Sequence, residues 1–520
     1  MSRSQTSSFI LELGLKVNAS QEATLGTRFQ AGRQLYNAIL GESKRRLQLL
    51  RESKAFSVAR RMEKGKERSH AFKKLNADFG FREYDLHRYT TQIRRSWIGQ
   101  HIDSNTGQKI ASRAFATVQK LAFRVAQKVR FKGPNQFDSV EGKTNKSGIR
   151  FKNNQILWGQ LSLDCIVDES DPVVAHGLKQ KVKFCRIIRR ELKGRTRFFV
   201  QLVLAGTPYQ KYQFPQAEVG LDVGPSTIAQ VHLAGAGLET FCQPLENRQN
   251  EIRRLQRKLD RQRRANNPQN YNLDRTIKKG HKSWYDSNQY LKTKNKLNEI
   301  QRKQAAHRKS LHGNLANRIL TQGKVVKTEK ISYQSFQRNF GKSLGFRAPA
   351  MLIEMLRRKA ENAGGTVTEF ATKTTKLSQY CHACGEYHKK PLSQRVHSHC
   401  GLNIQRDVYS AFLALSVKDN TLDVPSVNER WRSMETMLRA ASLSAKESQV
   451  AKVRQLSNRE PNGSSERLVR KVKVKPDKAQ DVVAEEQLLL FSLWEPVRAW
   501  SIFEPAAFMR AEFQMKFYDD

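Results

Sequence analysis

The pattern of apolar and polar positions predicts strands at both ends of the first 215 residues and helices between them. Residues 8–17 alternate as a half-buried strand does, and strands return between 149 and 205. In the intervening stretch the apolar positions recur with the helical period of 3.6 residues. The sequence therefore predicts a β-platform (1–20 and 140–215) that is interrupted by a helical bundle (21–139).

The apolar segments from residue 216 onward predict an α/β domain with the order β, β, β, helical insertion, β, α, β, insertion, α. Three short strands follow one another in "AEVGLDVGPSTIAQVHLAGAGLETFCQPL", and "GKVVKTEKIS" is the fourth strand. The helix "APAMLIEMLRRKAENAGG" has Pro349 near its start and two glycines after its end. In this order we expect the first and fourth strands to be central neighbours, with the last helix packed across them.

The charge of the chain points to a polyanionic partner. It has 93 Lys and Arg against 48 Asp and Glu, a formal net charge of +45. A surface this basic repels itself unless it meets nucleic acid or an anionic membrane. Residues 251–310 alone carry 18 basic and 5 acidic side chains, which predicts a basic helical insertion with one solvated, positive side.

Several other classes of protein are excluded by composition. No apolar run approaches the ~20 residues that a membrane span needs, and the first residues lack the pattern of a secretory signal. Six cysteines in 520 residues do not form a disulfide scaffold. We therefore expect a cytoplasmic protein with nucleic-acid partners and no membrane. Residues 417–520 are charged and turn-rich before an aromatic end at 486–520, and we interpret them as a partly flexible C-terminal extension.

Three acidic residues follow or open predicted elements of the α/β domain. Asp222 lies at the end of the first strand, Glu329 at the end of the fourth strand, and Asp407 at the start of the last helix. Singly, such residues are commonly turn or helix-cap residues. The predicted topology, however, gathers all three at one end of the sheet, where carboxylates can bind Mg²⁺. Two such ions support the hydrolysis of phosphodiester bonds.

A cluster of cysteine and histidine residues lies in "YCHACGEYHKKPLSQRVHSHCG". Cys381 and Cys384 have the spacing C-x-x-C, and His397 and Cys400 repeat it as H-x-x-C, a pattern typical of a structural Zn²⁺ site. The spacing favours His397 as the fourth ligand, and the sequence leaves three other candidates nearby: His382, His388 and His399. The alternative interpretation is three unrelated buried thiols.

The motifs "GLDVGPSTIA", "VVKTEKIS", "LSQYCHACG" and "HCGLNIQRDVYSAFLA", in this order, resemble the TnpB (OrfB) family of insertion-sequence proteins. They also resemble the smaller type V CRISPR effectors that are related to it. The resemblance implies an RNase H-like, RuvC-like nuclease domain (216–416) with an inserted zinc ribbon (378–403). It also implies a wedge domain for the β-platform and a nucleic-acid recognition domain for the helical bundle.

The same resemblance implies the chemistry of the site and the partners. Asp222, Glu329 and Asp407 match the family's acids, which would hold two Mg²⁺ ions in an RNA-guided DNA endonuclease that works by two-metal-ion hydrolysis. Guide RNA and target DNA are the implied partners, and a prokaryotic, nucleoid-associated location follows. His397 stands where the family's zinc motif has cysteine. Residues 417–520 extend beyond the family core.

Two other functions agree with the sequence. One is a nuclease-weak RNA-guided DNA-binding protein or repressor. The other is a transposase-associated DNA-binding protein without a guide RNA. The presence of all three acids favours the nuclease, and an RNA of defined sequence that copurifies with the protein would exclude the last alternative.

Overall fold

The computed structural model describes residues 7–280, 282–391 and 394–457, and the chain divides into two compact units at Tyr209 and Gln210. Predictions for the aromatic segment at 486–520 lie outside the described residues. In the described part of the chain, no helix combines the length and the apolar character needed to cross a bilayer.

The first unit contains a seven-stranded antiparallel sheet and a set of helices. Its strands are β1 (Ser8–Lys16), β2 (Ser139–Glu141), β3 (Ile149–Lys152), β4 (Gln155–Trp158), β5 (Leu161–Ile166), β6 (Val182–Leu192) and β7 (Arg195–Ala205). Its helices are α1 (Ala19–Glu52), α2 (Lys54–Arg61), α3 (Lys66–Asp78), α4 (Glu83–Ile93), α5 (Ile98–His101), α6 (Ser104–Ala122) and α7 (Pro172–Leu178). The strand order is β2-β6-β7-β1-β5-β4-β3, so β1, which precedes the helices in sequence, pairs with β5 and β7, which follow them.

Local sequence signals explain how the first unit begins. Strand β1 buries Leu11, Leu13 and Leu15 on one face, as its alternation requires. Helix α1 starts directly afterwards because the side chains of Asn18 and Gln21 form a capping box with each other's backbone N–H groups. These local signals place the first helix directly after the first strand.

The second unit is organised around a five-stranded sheet. Its strands are β8 (Glu218–Val223), β9 (Thr227–His232), β10 (Gly235–Thr240), β11 (Val325–Glu329) and β12 (Thr366–Phe370), followed by two short hairpins, β13 (Val396–His399) with β14 (Leu402–Gln405) and β15 (Val417–Lys418) with β16 (Thr421–Leu422). Its helices are α8 (Gln249–Asn266), α9 (Asn288–Gln322), α10 (Tyr333–Arg347), α11 (Pro349–Asn362), α12 (Thr372–Thr375), α13 (Arg406–Ala414) and α14 (Val424–Ser457).

The order of the five strands is β10-β9-β8-β11-β12, with β8–β9–β10 antiparallel and β8, β11 and β12 parallel. The first and fourth strands of the unit, β8 and β11, are thus central neighbours, and the predicted adjacency is confirmed. Helix α13 packs on β8 and β9 with Val408, Ala411 and Phe412 fully buried, which confirms the predicted position of the last helix of the α/β domain.

The segment that follows α13 differs from the sequence prediction. The change of composition at about Val417 suggested a partly flexible extension, but residues 417–422 form a hairpin and 424–457 form helix α14. Val427, Met434 and Leu438 of α14 are buried in the same core as α13. These apolar residues recur with a helical spacing that the many charged residues around them obscure.

Candidate functional site

The three predicted acids lie on elements that the sheet topology brings together. In the parallel pair β8–β11, Thr328 lies beside Leu221, so the next residue of each strand places Glu329 and Asp222 side by side. Asp407 is in the first turn of α13, the helix that packs across β8. Each of the three residues is partly buried rather than enclosed, which leaves the group accessible from solvent.

A close approach between β8 and α13 fixes the position of Asp407. A Cβ atom added at Gly220 would lie 2.0 Å from the carbonyl oxygen of Ala411, so only glycine permits this contact. At the other end of α13, the ammonium group of Lys327 on β11 donates to the carbonyl oxygen of Leu415 at 2.7 Å and pairs with Glu218 at 2.8 Å. The helix is thereby held against the sheet at two points.

The electrostatics of the acids show that their charges interact. The pKa of Asp222 is raised well above its ordinary value, first by burial and then by the negative charges of Asp407 and Glu329. Burial also raises the pKa of Glu329, to about 7. Arg406 opposes the shift at Asp222, and its guanidinium lies 3.5 Å from Asp407. Converging carboxylates whose ionisation is unfavourable are suited to bind a divalent cation, which would neutralise them.

Sequence reasoning missed two neighbours of this group. Arg406 is buried, and its guanidinium also donates to the carbonyl oxygen of Gln394 at 3.1 Å, which ties the start of α13 to the chain before β13. Ser410 follows Asp407 by one helical turn and lowers the pKa of Asp222. Its buried hydroxyl has no hydrogen bond of ordinary geometry among the described residues. Its position at i+3 from Asp407 was the available signal.

The cysteine and histidine cluster brings four donor groups together. The ligand atoms of Cys381, Cys384, His399 and Cys400 all lie within 4.8 Å of one another. In the described part of the chain, no other group of three or more His, Cys, Asp or Glu side chains is gathered this closely. Three thiols and an imidazole are a donor set that suits Zn²⁺.

The structure corrects the predicted choice of histidine. His399, not His397, lies in the cluster, with its Nδ1 atom 2.9 Å from the Sγ atom of Cys400 and 3.9 Å from that of Cys384. His397 is buried instead against Tyr409 of α13, with ring centroids 4.6 Å apart, and its Nδ1 atom contacts the ammonium group of Lys390.

The physical reason is the turn between β13 and β14. Cys400 and Gly401 both have positive φ, 49° and 76°, as the two central residues of a tight hairpin turn do. In this turn the Sγ atom of Cys400 lies beside the imidazole of His399, the residue that directly precedes it. The three-residue spacing of Cys381 and Cys384 is therefore not repeated in the second half of the cluster.

The other two histidines near the cluster have different positions. The Nε2 atom of His388 lies 3.3 Å from the Sγ atom of Cys384, and its ring is 3.6 Å from that of His399. His382 is turned towards α14, with its ring 4.3 Å from that of Trp431. His388 is therefore a second imidazole beside the cluster, whereas the partly buried His382 packs against Trp431 and bonds to the hydroxyl of Tyr409.

The thiol electrostatics agree with a metal-binding role. A hydrogen bond with His388 lowers the pKa of Cys384 to about 6, so this exposed thiol is largely ionised at neutral pH. The pKa of Cys400 is raised to about 11, first by its hydrogen bond with Cys384, then by burial and by the negative charge of Cys384. A cation that binds both sulfur atoms would remove that conflict.

Comparison with known proteins identifies one segment of the chain. Residues 350–413 match the family model described as Cas12f1-like, TNB domain. This segment contains α11, β12, the cysteine and histidine cluster and Asp407. The resemblance to the TnpB family and its type V relatives is thereby confirmed for this segment. No curated protein sequence matches the chain.

Two solved structures are similar to the chain at low sequence identity. A Cas12f1–sgRNA–target DNA complex, determined by cryo-EM, is 12% identical with a TM-score of 0.37, over 79% of this chain and 98% of that chain. A CRISPR-Cas12f ternary complex is 14% identical with a TM-score of 0.25, over 78% of this chain and 86% of that chain.

Proposed function

We propose that the protein is an RNA-guided DNA endonuclease whose second unit is an RNase H-like, RuvC-like nuclease domain. The convergence of Asp222, Glu329 and Asp407 from two neighbouring strands and one crossing helix carries this proposal. The strand order of the five-stranded sheet and the Cas12f1-like segment support it. A net charge of +45 favours polyanionic partners, which we take to be a guide RNA and its target DNA.

The chain supplies a negatively charged, partly buried group of oxygen donors. Asp222, Glu329 and Asp407 would hold two Mg²⁺ ions, and their hard carboxylate oxygens fit these cations. When bound, such ions polarise the phosphodiester and stabilise the charge that develops during hydrolysis. Glu329, with its pKa of about 7, must give up a proton to become a ligand, so binding is favoured as the pH rises. Arg406 lowers the pKa of Asp222 and lies 3.5 Å from the carboxylate of Asp407.

We assign the cysteine and histidine cluster to a structural Zn²⁺. Cys381, Cys384, Cys400 and His399 would fill a tetrahedral coordination shell, which leaves no open position for catalysis. The cluster lies between β12 and α13, and Arg406 connects the chain before β13 to the helix that carries Asp407. Zinc would therefore stabilise the chain segment that positions the third acid.

The nucleic-acid partners are proposed for the first unit as well. The β-platform would act as a wedge domain, and the helical bundle would act as the recognition domain that lines the guide–target duplex. A heteroduplex is held through its backbone in a positively charged channel rather than through base contacts.

The test of the proposed activity is the substitution Asp222→Asn, which removes the charge and keeps the shape. The full-length protein with its copurified RNA should bind matched DNA as before and lose at least about a thousandfold of its Mg²⁺-dependent cleavage. The matched control is Asp423→Asn, which changes an aspartate that pairs with Lys418 away from the acids. Equal cleavage by Asp222→Asn and the parent protein would refute the assignment.

One observation favours a second candidate, an RNA-guided DNA-binding protein that cuts weakly. The donor atoms of the three acids are not gathered as closely as those of the cysteine and histidine cluster. Carboxylates that share two ions about 3.5–4 Å apart do not all need to touch one ion, which is why we prefer the nuclease. Cleavage measured with and without Mg²⁺ at equal DNA occupancy separates the two functions.

A further inference from the structure

The loop that follows α8 is supported by hydrogen bonds of its own side chains. In this tip loop (residues 267–280), Asn267 and Asn270 are buried and bond to the backbone of residues 283–285. The side-chain amide of Asn267 accepts from the backbone N–H of Tyr285 at 2.6 Å and donates to its carbonyl oxygen at 2.9 Å. Asn270 donates to the carbonyl oxygen of Ser283 at 2.7 Å. These bonds fix the shape of the loop from within.

A tight turn at residues 272–276 projects side chains outward from this loop. The backbone N–H of Asn272 donates to the carbonyl oxygen of Thr276 at 2.8 Å, and the carboxylate of Asp274 accepts from the N–H of Thr276 at 2.9 Å. Leu273 stands at the turn and is fully exposed. A single exposed leucine is ordinary on a protein surface, but this one borders a cleft.

The cleft is open and lined by basic and aromatic side chains. Its volume is about 550 Å³, within the range of small-molecule sites. The lining residues are Arg264, Pro268, Tyr271, Asn272, Leu273, Arg275 and Lys278. Arg264 pairs with Asp260 at 2.5 Å. Arg275 and Lys278 are exposed, and neither has an ion-pair partner among the residues that the structure describes.

An aromatic pair lies under the cationic rim. The ring of Tyr271 meets that of Trp284 edge to face, with centroids 5.9 Å apart. The guanidinium of Arg263 lies 3.8 Å from the centroid of Trp284, a cation–π contact that holds the tryptophan in place. Cations that bind phosphates, next to rings and apolar side chains that contact bases, are the features of single-strand binding surfaces.

We propose that this cleft is a binding site for single-stranded nucleic acid. Arg275 and Lys278 bind consecutive phosphates, and Leu273 and Tyr271 contact the face of an unpaired base. A duplex hides its base faces by stacking, so the apolar contacts select an unpaired strand. The site lies on the basic helical insertion, and its lining includes none of the three acids. This proposal rests on the proposed function and adds one contact with the nucleic acid. Binding at this site can be measured without cleavage.

The experiment measures binding of the full-length protein to labelled oligonucleotides by fluorescence anisotropy, without Mg²⁺ so that no strand is cut. The probes are a mixed-sequence single-stranded DNA, the same sequence as RNA, and the blunt DNA duplex. The slope of log K against log salt concentration measures how many phosphates the protein contacts. For single-strand binding by the double variant Arg275→Ala, Lys278→Ala, this slope should become shallower by about 1.4, the value for two phosphates. For Leu273→Ala we expect about fivefold weaker single-strand binding, the lower end of a base contact.

The charge-matched control is Arg253→Ala combined with Lys258→Ala, two exposed residues of α8 outside the cleft. The proposal predicts a smaller loss for this control than for the cleft variant. A loss on single-stranded DNA, RNA or both supports the site and identifies the strand it takes. Equal losses for the cleft and control pairs, equal losses on the duplex, or no effect of Leu273→Ala would overturn it. The catalytic proposal is tested separately by Asp222→Asn.

Discussion

The two candidate metal sites of the second unit are built in opposite ways. Asp222, Glu329 and Asp407 come from three elements far apart in sequence, and the order of the sheet brings them together. The cysteine and histidine cluster comes from a short segment, residues 381–400, and two tight turns form it. The three acids are partly buried oxygen donors, and burial and their negative charges raise the pKa of Asp222. In the cluster, by contrast, the exposed thiol of Cys384 has a lowered pKa.

Because of this contrast, we expect different kinds of change to disrupt the two sites. Packing between β8 and α13 sets the positions of the acids, so a change in that packing would disturb them without a change in any ligand. The segment around the cluster shares its core with α13 and α14, and we expect a bound metal to hold the four donor groups together. Each of the following predictions perturbs one of the two sites and has its own matched control.

The largest effect is expected for loss of zinc. Structural Zn²⁺ contributes on the order of 10 kcal/mol to the folding of small metal-dependent segments. Cys381→Ser should therefore reduce the zinc content to well below one ion per chain and lower the melting temperature sharply. Metal analysis and thermal unfolding measure the two outcomes.

The control for this variant is Cys165→Ala, which changes a buried cysteine of the first unit. It should retain full zinc content whatever its effect on stability. A Cys381→Ser protein that keeps one tightly bound zinc would show that the cluster is not the metal site.

The next effect concerns the packing that places Asp407. Gly220→Ala would put a methyl group 2.0 Å from the carbonyl oxygen of Ala411, and such overpacking costs about 3 kcal/mol or more. The variant should unfold at lower denaturant concentration and lose Mg²⁺-dependent cleavage, but the folded fraction should keep its zinc. Gly237→Ala is the control, because a Cβ there meets nothing within 4 Å. Equal stability of the two variants would contradict the close approach.

The same contrast explains what could be predicted from the sequence. The proximity of Asp222 and Glu329 could be predicted because parallel strands that are neighbours end at one edge of a sheet, a rule that needs only the strand order. His399 was missed because the choice between His397 and His399 depends on backbone dihedrals at Cys400 and Gly401. Sequence spacing does not encode these dihedrals.

The sequence pattern does not predict helices α10 and α14, for related reasons. Helix α10 has no buried residue, so it shows no apolar stripe for a pattern to reveal. In α14 the buried residues are separated by many charged ones, and the composition suggested a linker. Both helices depend on neighbouring chain segments rather than on a strong pattern of their own.

The third prediction uses pH to test the burial of the acids. The pKa of Glu329 rises from 4.5 to about 7 in the folded protein, so the folded state holds this proton more tightly than the unfolded chain. Below pH 4.5 the burial of protonated Glu329 costs no stability, and the free energy of unfolding then falls as the pH rises from 4.5 to about 7. Above that pH the cost is roughly 3 kcal/mol in Mg²⁺-free buffer.

Glu329→Gln should consequently stabilise the Mg²⁺-free protein at pH 8 and leave it unchanged near pH 4.5, as denaturant unfolding at the two pH values would show. The control is Glu354→Gln, since Glu354 is exposed and pairs with Arg357, and it should have a small effect at both pH values. The same shift for both variants, or a destabilised Glu329→Gln protein at pH 8, would contradict the burial of a charged Glu329.

The smallest effect separates the two histidines. His399→Ala should weaken zinc binding at least about tenfold, as measured by competition with a chromophoric chelator, whereas His397→Ala should leave the affinity unchanged and lose only packing against Tyr409. His388 limits the loss, because its Nε2 atom lies 3.3 Å from the Sγ atom of Cys384 and can replace the missing imidazole. Combining His388→Ala with His399→Ala should therefore weaken binding further than either change alone. If His397→Ala has the larger effect on affinity, the sequence spacing was right and the position of His399 beside Cys400 has no role in binding the metal.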